Sequence, residues 1–175
     1  TASTGSDTTD DLDLATVMKA SQAISSEIIL EKLLKQLMKI VIENAGAQKG
    51  VLLLEKDGEF FIEAEGNVKS EEILVLQSIS INGSPSPEIY LLPKSIIHYV
   101  ARTRDALILK NASQEGRFTK DDYIVRMQPK SILCLPILHQ SLIVGVLYLE
   151  NNLSEGVCTE NRLTMLNMLS SQIAI

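Results

Sequence analysis

The chain has 175 residues, a formal charge of −6, a hydrophobic fraction of 45% and no tryptophan, with aromatics at only 4%. That length gives one domain with a sizeable, mainly aliphatic core. The acidic balance excludes the basic surface that a nucleic acid or an anionic membrane requires, and no apolar run approaches the roughly 20 residues that span a bilayer.

Residues 1–10, TASTGSDTTD, have no apolar period and read as a flexible linker, with the domain at 11–175. Leu14, Val17, Met18, Ser21 and Ile24 then fall at helical spacing. Ser25-Ser26 is expected to interrupt this helix, and Ser26 to cap a second one. In the second, Leu30, Leu33, Leu34, Leu37, Ile40 and Val41 form the apolar face, and Gly46 is the expected stop. GVLLLE at 50–55 is a strand apolar on both faces. Asp57-Gly58 is a hairpin turn signal, and 60–65 is the return strand. LVLQSISI at 74–81 alternates more cleanly, as an edge strand does, and NGSPSP at 82–87 is a turn cluster.

Pro93 starts a further helix whose face is Ile96, Ile97, Val100 and Ala101, ending near Arg104. Residues 106–109 are a short apolar strand. The polar stretch from Lys110 to Gln128 is too long for an idle connection; its end, 121–127, is a helical turn or two with Tyr123, Ile124 and Met127 inward. Two strands follow, 131–138 and 142–150, joined at His139-Gln140-Ser141. Both are apolar on both faces, so they belong at the centre of a sheet covered on two sides. Pro136 marks a bulge or an unpaired position, and Gly145 leaves a gap for a neighbouring side chain or a ligand. Thr159 caps a last helix with Leu163, Leu166, Leu169 and Ile173 in its stripe and Met165 and Met168 beside it. Six strands, mostly hairpin-linked, with helices before, between and after them, give an α+β class.

In this order over 12–175, four stretches resemble the GAF domain, a small-molecule sensing module of signalling proteins. They are LDLATVMKASQAIS with its leucine-rich helix, LPKSIIHYVARTRDALIL, RFTKDDYIVRMQPKSILCLPI, and GVLYLEN before a Thr-capped helix. The opening is similar to GAF segments of large cyanobacterial kinases that combine serine/threonine kinase and histidine kinase regions. The resemblance implies a GAF-like, PAS-related, six-stranded antiparallel sheet with helices on both sides. The N- and C-terminal helices lie on one face, and a ligand pocket with its lid, Lys110–Gln128, on the other. It implies an unidentified small ligand, with Asn111, Phe118, Asp122, Tyr123, Arg126 and His98 as candidate binding residues, and no catalysis by the isolated domain.

Cyclic-nucleotide-binding members of that family carry Asn-Lys and then Phe-x-x-x-Asp-Glu. Asn111, Phe118 and Asp122 match, whereas Ala112 and Tyr123 replace the Lys and the Glu; Asp122 also reads simply as a helix cap. A bilin would need a cysteine followed by histidine, but Cys134 precedes Leu135 and Cys158 precedes Thr159. His98 and His139 have no second ligand at helical spacing, so neither haem nor a metal is expected. No nucleophile elbow, Walker loop or zinc-protease motif is present. The rival to a ligand sensor is a ligand-free dimerisation and relay module whose pocket holds its own side chains. The wide apolar stripes of the terminal helices lead us to expect a homodimer through them, with kinase domains in the parent chain as further partners. Unpaired thiols and the absence of a signal pattern place the protein in the cytoplasm.

Overall fold

The computed structural model describes residues 7–68, 72–82, 92–155, 164 and 167. Helix α1 spans Asp7–Ala45, and three strands follow: β1 Lys49–Lys56, β2 Glu59–Asn67 and β3 Glu72–Ser80. Helix α2 spans Lys94–Thr103, β4 Leu107–Leu109 and α3 Asp122–Met127. Strands β5, Ser131–His139, and β6, Leu142–Asn151, complete the sheet. The strand order is β3-β2-β1-β6-β5-β4, every pair antiparallel. Of the three strands apolar on both faces, β1 and β6 pair at the centre, while β5 lies between β6 and the edge strand β4; β3 lies at the other edge, as its sequence predicts.

The chain divides into two compact units, Thr1–Leu34 and Lys35–Ile175. In the first, α1 exposes Leu14, Val17 and Met18. In the second, the last turns of α1 bury Met38, Val41, Ile42 and Ala45. The expected break at Ser25-Ser26 does not occur, and α1 is continuous through it. Serine in a helix interior costs only a few tenths of a kcal/mol and is no stop signal without a favourable entry geometry. The helix begins at Asp7, inside the stretch read as linker. It ends where glycine allows: Gly46 has φ +64°. Its N–H reaches the Glu43 carbonyl at 3.2 Å, and the Ala47 N–H reaches that of Ile42 at 3.0 Å, a Schellman termination.

Both hairpins turn on two residues at positive φ, Asp57-Gly58 (53° and 81°) and Gln140-Ser141 (51° and 64°). These are turns whose twist suits paired strands. Pro136 lies beyond the end of β4, where β5 has a neighbour on one side only; the register shift falls one step later, between Ile137 and Leu138. Gly145 fills no gap and leaves none. A Cβ there would stand 2.5 Å from the Leu53 carbonyl oxygen, so glycine permits close approach of β1 and β6.

One face of the sheet carries a core of Val51, Leu53, Ile132, Cys134, Val146 and Tyr148, packed with Ile96, Ile97 and Val100 of α2 and with Phe118, Tyr123 and Ile124. On the other, Ile42 of α1 stands over Gly50 and Leu149, leaving no room for a Cβ at residue 50. The last helix expected from Thr159, with Leu163, Leu166, Leu169 and Ile173, lies outside the described residues. Among the described residues no helix is long and apolar enough to cross a membrane.

Candidate functional site

The segment from Lys110 to Gln128 closes over the core face. It is pinched at its base, where the Ala112 N–H meets the Lys130 carbonyl at 2.7 Å. Although polar in composition, it buries Ala112, Phe118, Tyr123 and Ile124. Phe118 meets Tyr99 of α2 edge-on, with centroids 5.3 Å apart. Met127, expected to face inward, is 50% exposed, because α3 is too short to hold more than one buried turn against the sheet.

Asp121 caps α3, its Oδ1 accepting from the Tyr123 N–H at 2.9 Å. Its Oδ2 accepts from both the backbone N–H and the hydroxyl of Ser95, in the first turn of α2. This corrects the expectation that Asp122 is the cap; Asp122 is exposed. One carboxylate thus serves two helix N-termini.

Beneath the lid lies a buried polar cluster that joins three elements. Glu150, near the end of β6, is 2% exposed. Its carboxylate oxygens lie 2.6 and 2.8 Å from the Tyr123 hydroxyl, and one accepts from the Tyr148 hydroxyl at 2.7 Å. Lys49 is the residue paired with Glu150 across β1 and β6. Its ammonium donates to the Tyr123 hydroxyl at 3.1 Å, stands 3.9 Å from Glu150 and lies over the Tyr123 ring at 4.9 Å. A buried carboxylate persists only with such partners. Burial, and then the charge of Glu150, push the Tyr123 and Tyr148 phenols above their usual range, so both stay protonated donors. Burial lowers the Lys49 ammonium, and the carboxylates of Glu150 and Glu65 oppose that. Burial alone pushes the Cys134 thiol up, which makes it inert.

Of the candidate residues, the fold brings Phe118 and Tyr123 together in the core beneath the lid. It leaves His98, Asp122 and Arg126 exposed. Asn111 is occupied in shaping the segment: its amide donates to Glu155 at 2.7 Å, its side-chain oxygen accepts from Ser113 at 2.9 Å, and its N–H donates to Glu115 at 2.8 Å. Sequence reasoning missed Lys49, Tyr148 and Glu150. Their signal is a pair of opposite charges, at the start of KGVLLLE and at the end of GVLYLE, which only the antiparallel register brings to the same end of the seam. Among the described residues no group of His, Cys, Asp or Glu is arranged to hold a metal ion.

Residues 30–175 match the family described as GAF domain. Hybrid signal transduction histidine kinase G of Dictyostelium discoideum is 30% identical over 95% of this chain, which covers 8% of that protein. Peroxide stress-activated histidine kinase mak2 of Schizosaccharomyces pombe is 28% identical over 95% of this chain and 7% of that protein. The chain therefore spans less than a tenth of the length of these curated relatives. They are named as histidine kinases, one of the two kinase types expected together, and they lend no support to a serine/threonine kinase region or a cyanobacterial parent. The GAF domain from Acinetobacter phosphoenolpyruvate-protein phosphotransferase superposes with a TM-score of 0.58 at 19% identity, covering 93% of this chain and 90% of that one.

Proposed function

This chain belongs to the GAF domain family, and we propose that it is the sensory module of a histidine-kinase-type signalling protein. In this reading the lid admits a small molecule to the sheet face, and the terminal helices carry the change to output domains. Similarity to histidine kinases over 95% of the chain supports the signalling role. The observation that carries the sensing role is the segment fixed over that face by Phe118 and Tyr123. The isolated domain is not an enzyme in this reading. Its setting is the cytoplasm, consistent with the free, buried Cys134. Neither bilin nor haem is part of this reading, which is supported by the burial of the Cys134 thiol in β5 and the exposure of His98. A cyclic nucleotide is disfavoured because Asn111 is already committed to Glu155, Glu115 and Ser113.

A second reading, a ligand-free dimerisation and relay module, is favoured by one observation. Phe118, Tyr123 and Ile124 belong to the same buried core as Val51, Leu53 and Cys134, so the protein's own side chains occupy the face beneath the lid. Both readings include a homodimer through the terminal helices, which the exposed Leu14, Val17 and Met18 support. The test is to purify the chain from cells, denature it gently and identify the small molecules released. The sensor reading expects one compound in stoichiometric yield that is missing from a Phe118→Ala preparation. No stoichiometric compound in either preparation would leave the ligand-free module standing.

A further inference from the structure

The buried cluster does more than hold the lid down. The main chain that carries Glu150 also holds the turn where α1 ends. The Gln48 N–H donates to the Glu150 carbonyl at 2.8 Å. The Asn151 amide donates to the Gly46 carbonyl at 2.8 Å, and the Asn152 N–H donates to the Gln48 side-chain oxygen at 2.8 Å. Asn151 is itself held in place, its side-chain oxygen accepting from the N–H groups of Leu153 and Ser154 at 2.9 and 3.0 Å. Gly46 is the residue that terminates the helix. The lid hydroxyl and the helix terminus therefore meet at the end of β6, the hydroxyl on the Glu150 side chain and the terminus on the Glu150 carbonyl, the Asn151 amide and the Asn152 N–H.

We infer that Glu150 is the junction through which the lid acts on the end of α1, with the Tyr123 hydroxyl as its latch. Tyr123 is the one member of the cluster that comes from the lid; Lys49, Tyr148 and Glu150 belong to the sheet. Lifting the lid removes the Tyr123 hydroxyl from both carboxylate oxygens. The carboxylate is not then abandoned. Lys49 now donates to the tyrosine at 3.1 Å while standing 3.9 Å from Glu150, so a shift of about an ångström turns it into a direct ion pair. Both arrangements satisfy the buried charge, which is what a two-state element needs. The switch re-aims Glu150, whose carbonyl grips Gln48, and the side-chain amide of its neighbour Asn151 grips Gly46.

A second tie anchors the lid elsewhere, from Asp121 to Ser95 at the start of α2. That separates loosening of the lid from release of the latch. The inference deepens the proposed relay and depends on the sensory reading only for what opens the lid, so it is testable without a ligand. The experiment is hydrogen–deuterium exchange by mass spectrometry on the whole 175-residue chain, comparing the unaltered protein with Tyr123→Phe, Glu150→Gln and Ser95→Ala. Tyr123→Phe and Glu150→Gln are expected to speed exchange both in the lid and in residues 43–48, the latter about fivefold or more. Ser95→Ala is expected to speed exchange in the lid alone. Unchanged exchange at 43–48 in Tyr123→Phe would overturn the junction, as would an equal rise there in Ser95→Ala. Failure of Tyr123→Phe to fold would show a structural bond rather than a latch and overturn it too. Loss of the ligand reading with this pattern intact would leave the coupling in place and change only its input.

Discussion

The two ends of α1 carry the same kind of apolar stripe and meet opposite surroundings. Near the start, Leu14, Val17 and Met18 are 60, 63 and 57% exposed; near the end, Met38, Val41 and Ile42 are 0, 0 and 4% exposed. Spacing of apolar residues announces a helix in both places, but it does not say what covers the stripe. At the end of α1 the cover is the sheet, where Gly50 allows Ile42 to approach. At the start, a helix of this kind gains little stability in water from propensity alone. That makes a second copy of the chain the natural cover in the proposed dimer.

The strongest test of the contrast is a charge placed in each stripe. Val41→Asp buries an unpaired carboxylate and is expected to cost about 3–5 kcal/mol, enough to unfold much of the protein. Met18→Asp is expected to leave monomer stability within about 0.5 kcal/mol. Urea unfolding of the two variants reads both, and equal losses would erase the distinction. Next in size, Gly50→Ala forces a methyl to within 2.7 Å of Ile42. It is expected to cost about 1–3 kcal/mol by overpacking, and a neutral result would mean that this end of α1 is not seated on β1. The exposed stripe is sharpened by Val17→Gln with Met18→Gln. Sedimentation across a dilution series is expected to show dimer association weakened about tenfold, with the urea midpoint of the monomer unmoved; unchanged association would leave the stripe without its proposed partner.

The smallest effect is expected in alkali. Tyr123, Tyr148 and Cys134 have raised values in the fold. Their contribution is therefore complete below their unfolded values, about 10 for tyrosine and 8.5 for cysteine, and drains away as the pH climbs past them. Lys49, lowered in the fold, acts oppositely: its contribution grows as the pH rises toward its unfolded value of about 10.4. Three groups outweigh one, so urea midpoints are expected to hold from neutral pH to about 8.5 and then fall, less steeply in Tyr123→Phe. A curve that rises above pH of about 10 would reverse the assignment.

Much of the sheet was legible because its signals are local. Asp57-Gly58 fixes one hairpin, and the doubly apolar β1 and β6 declare themselves central. The candidate site was legible only where a large side chain had to be buried, at Phe118 and Tyr123. Asp121 and Asp122 are chemically alike, and which one caps α3 depends on the backbone angles at Asp121. Gly145 looked the same in sequence whether it opened a space or closed a contact. Lys49 and Glu150 meet only because β1 and β6 pair in one register, a relation between distant strands that no local pattern carries.

That central pairing also sets how the domain reaches its folded state. The β1–β2 and β5–β6 hairpins close through two-residue turns, so each is expected to close locally on a microsecond scale. The seam between them must bring together residues such as Gly46 and Asn151, 105 positions apart. Closing so long a loop is entropically slow, and the edges of both hairpins stay unpaired until it happens. The rate-limiting step in refolding is therefore expected to be the docking of two preformed hairpins, with β1 and β6 the surfaces open to aggregation in the meantime. A circular permutant that links the two hairpins directly would refold faster while keeping every native strand pair.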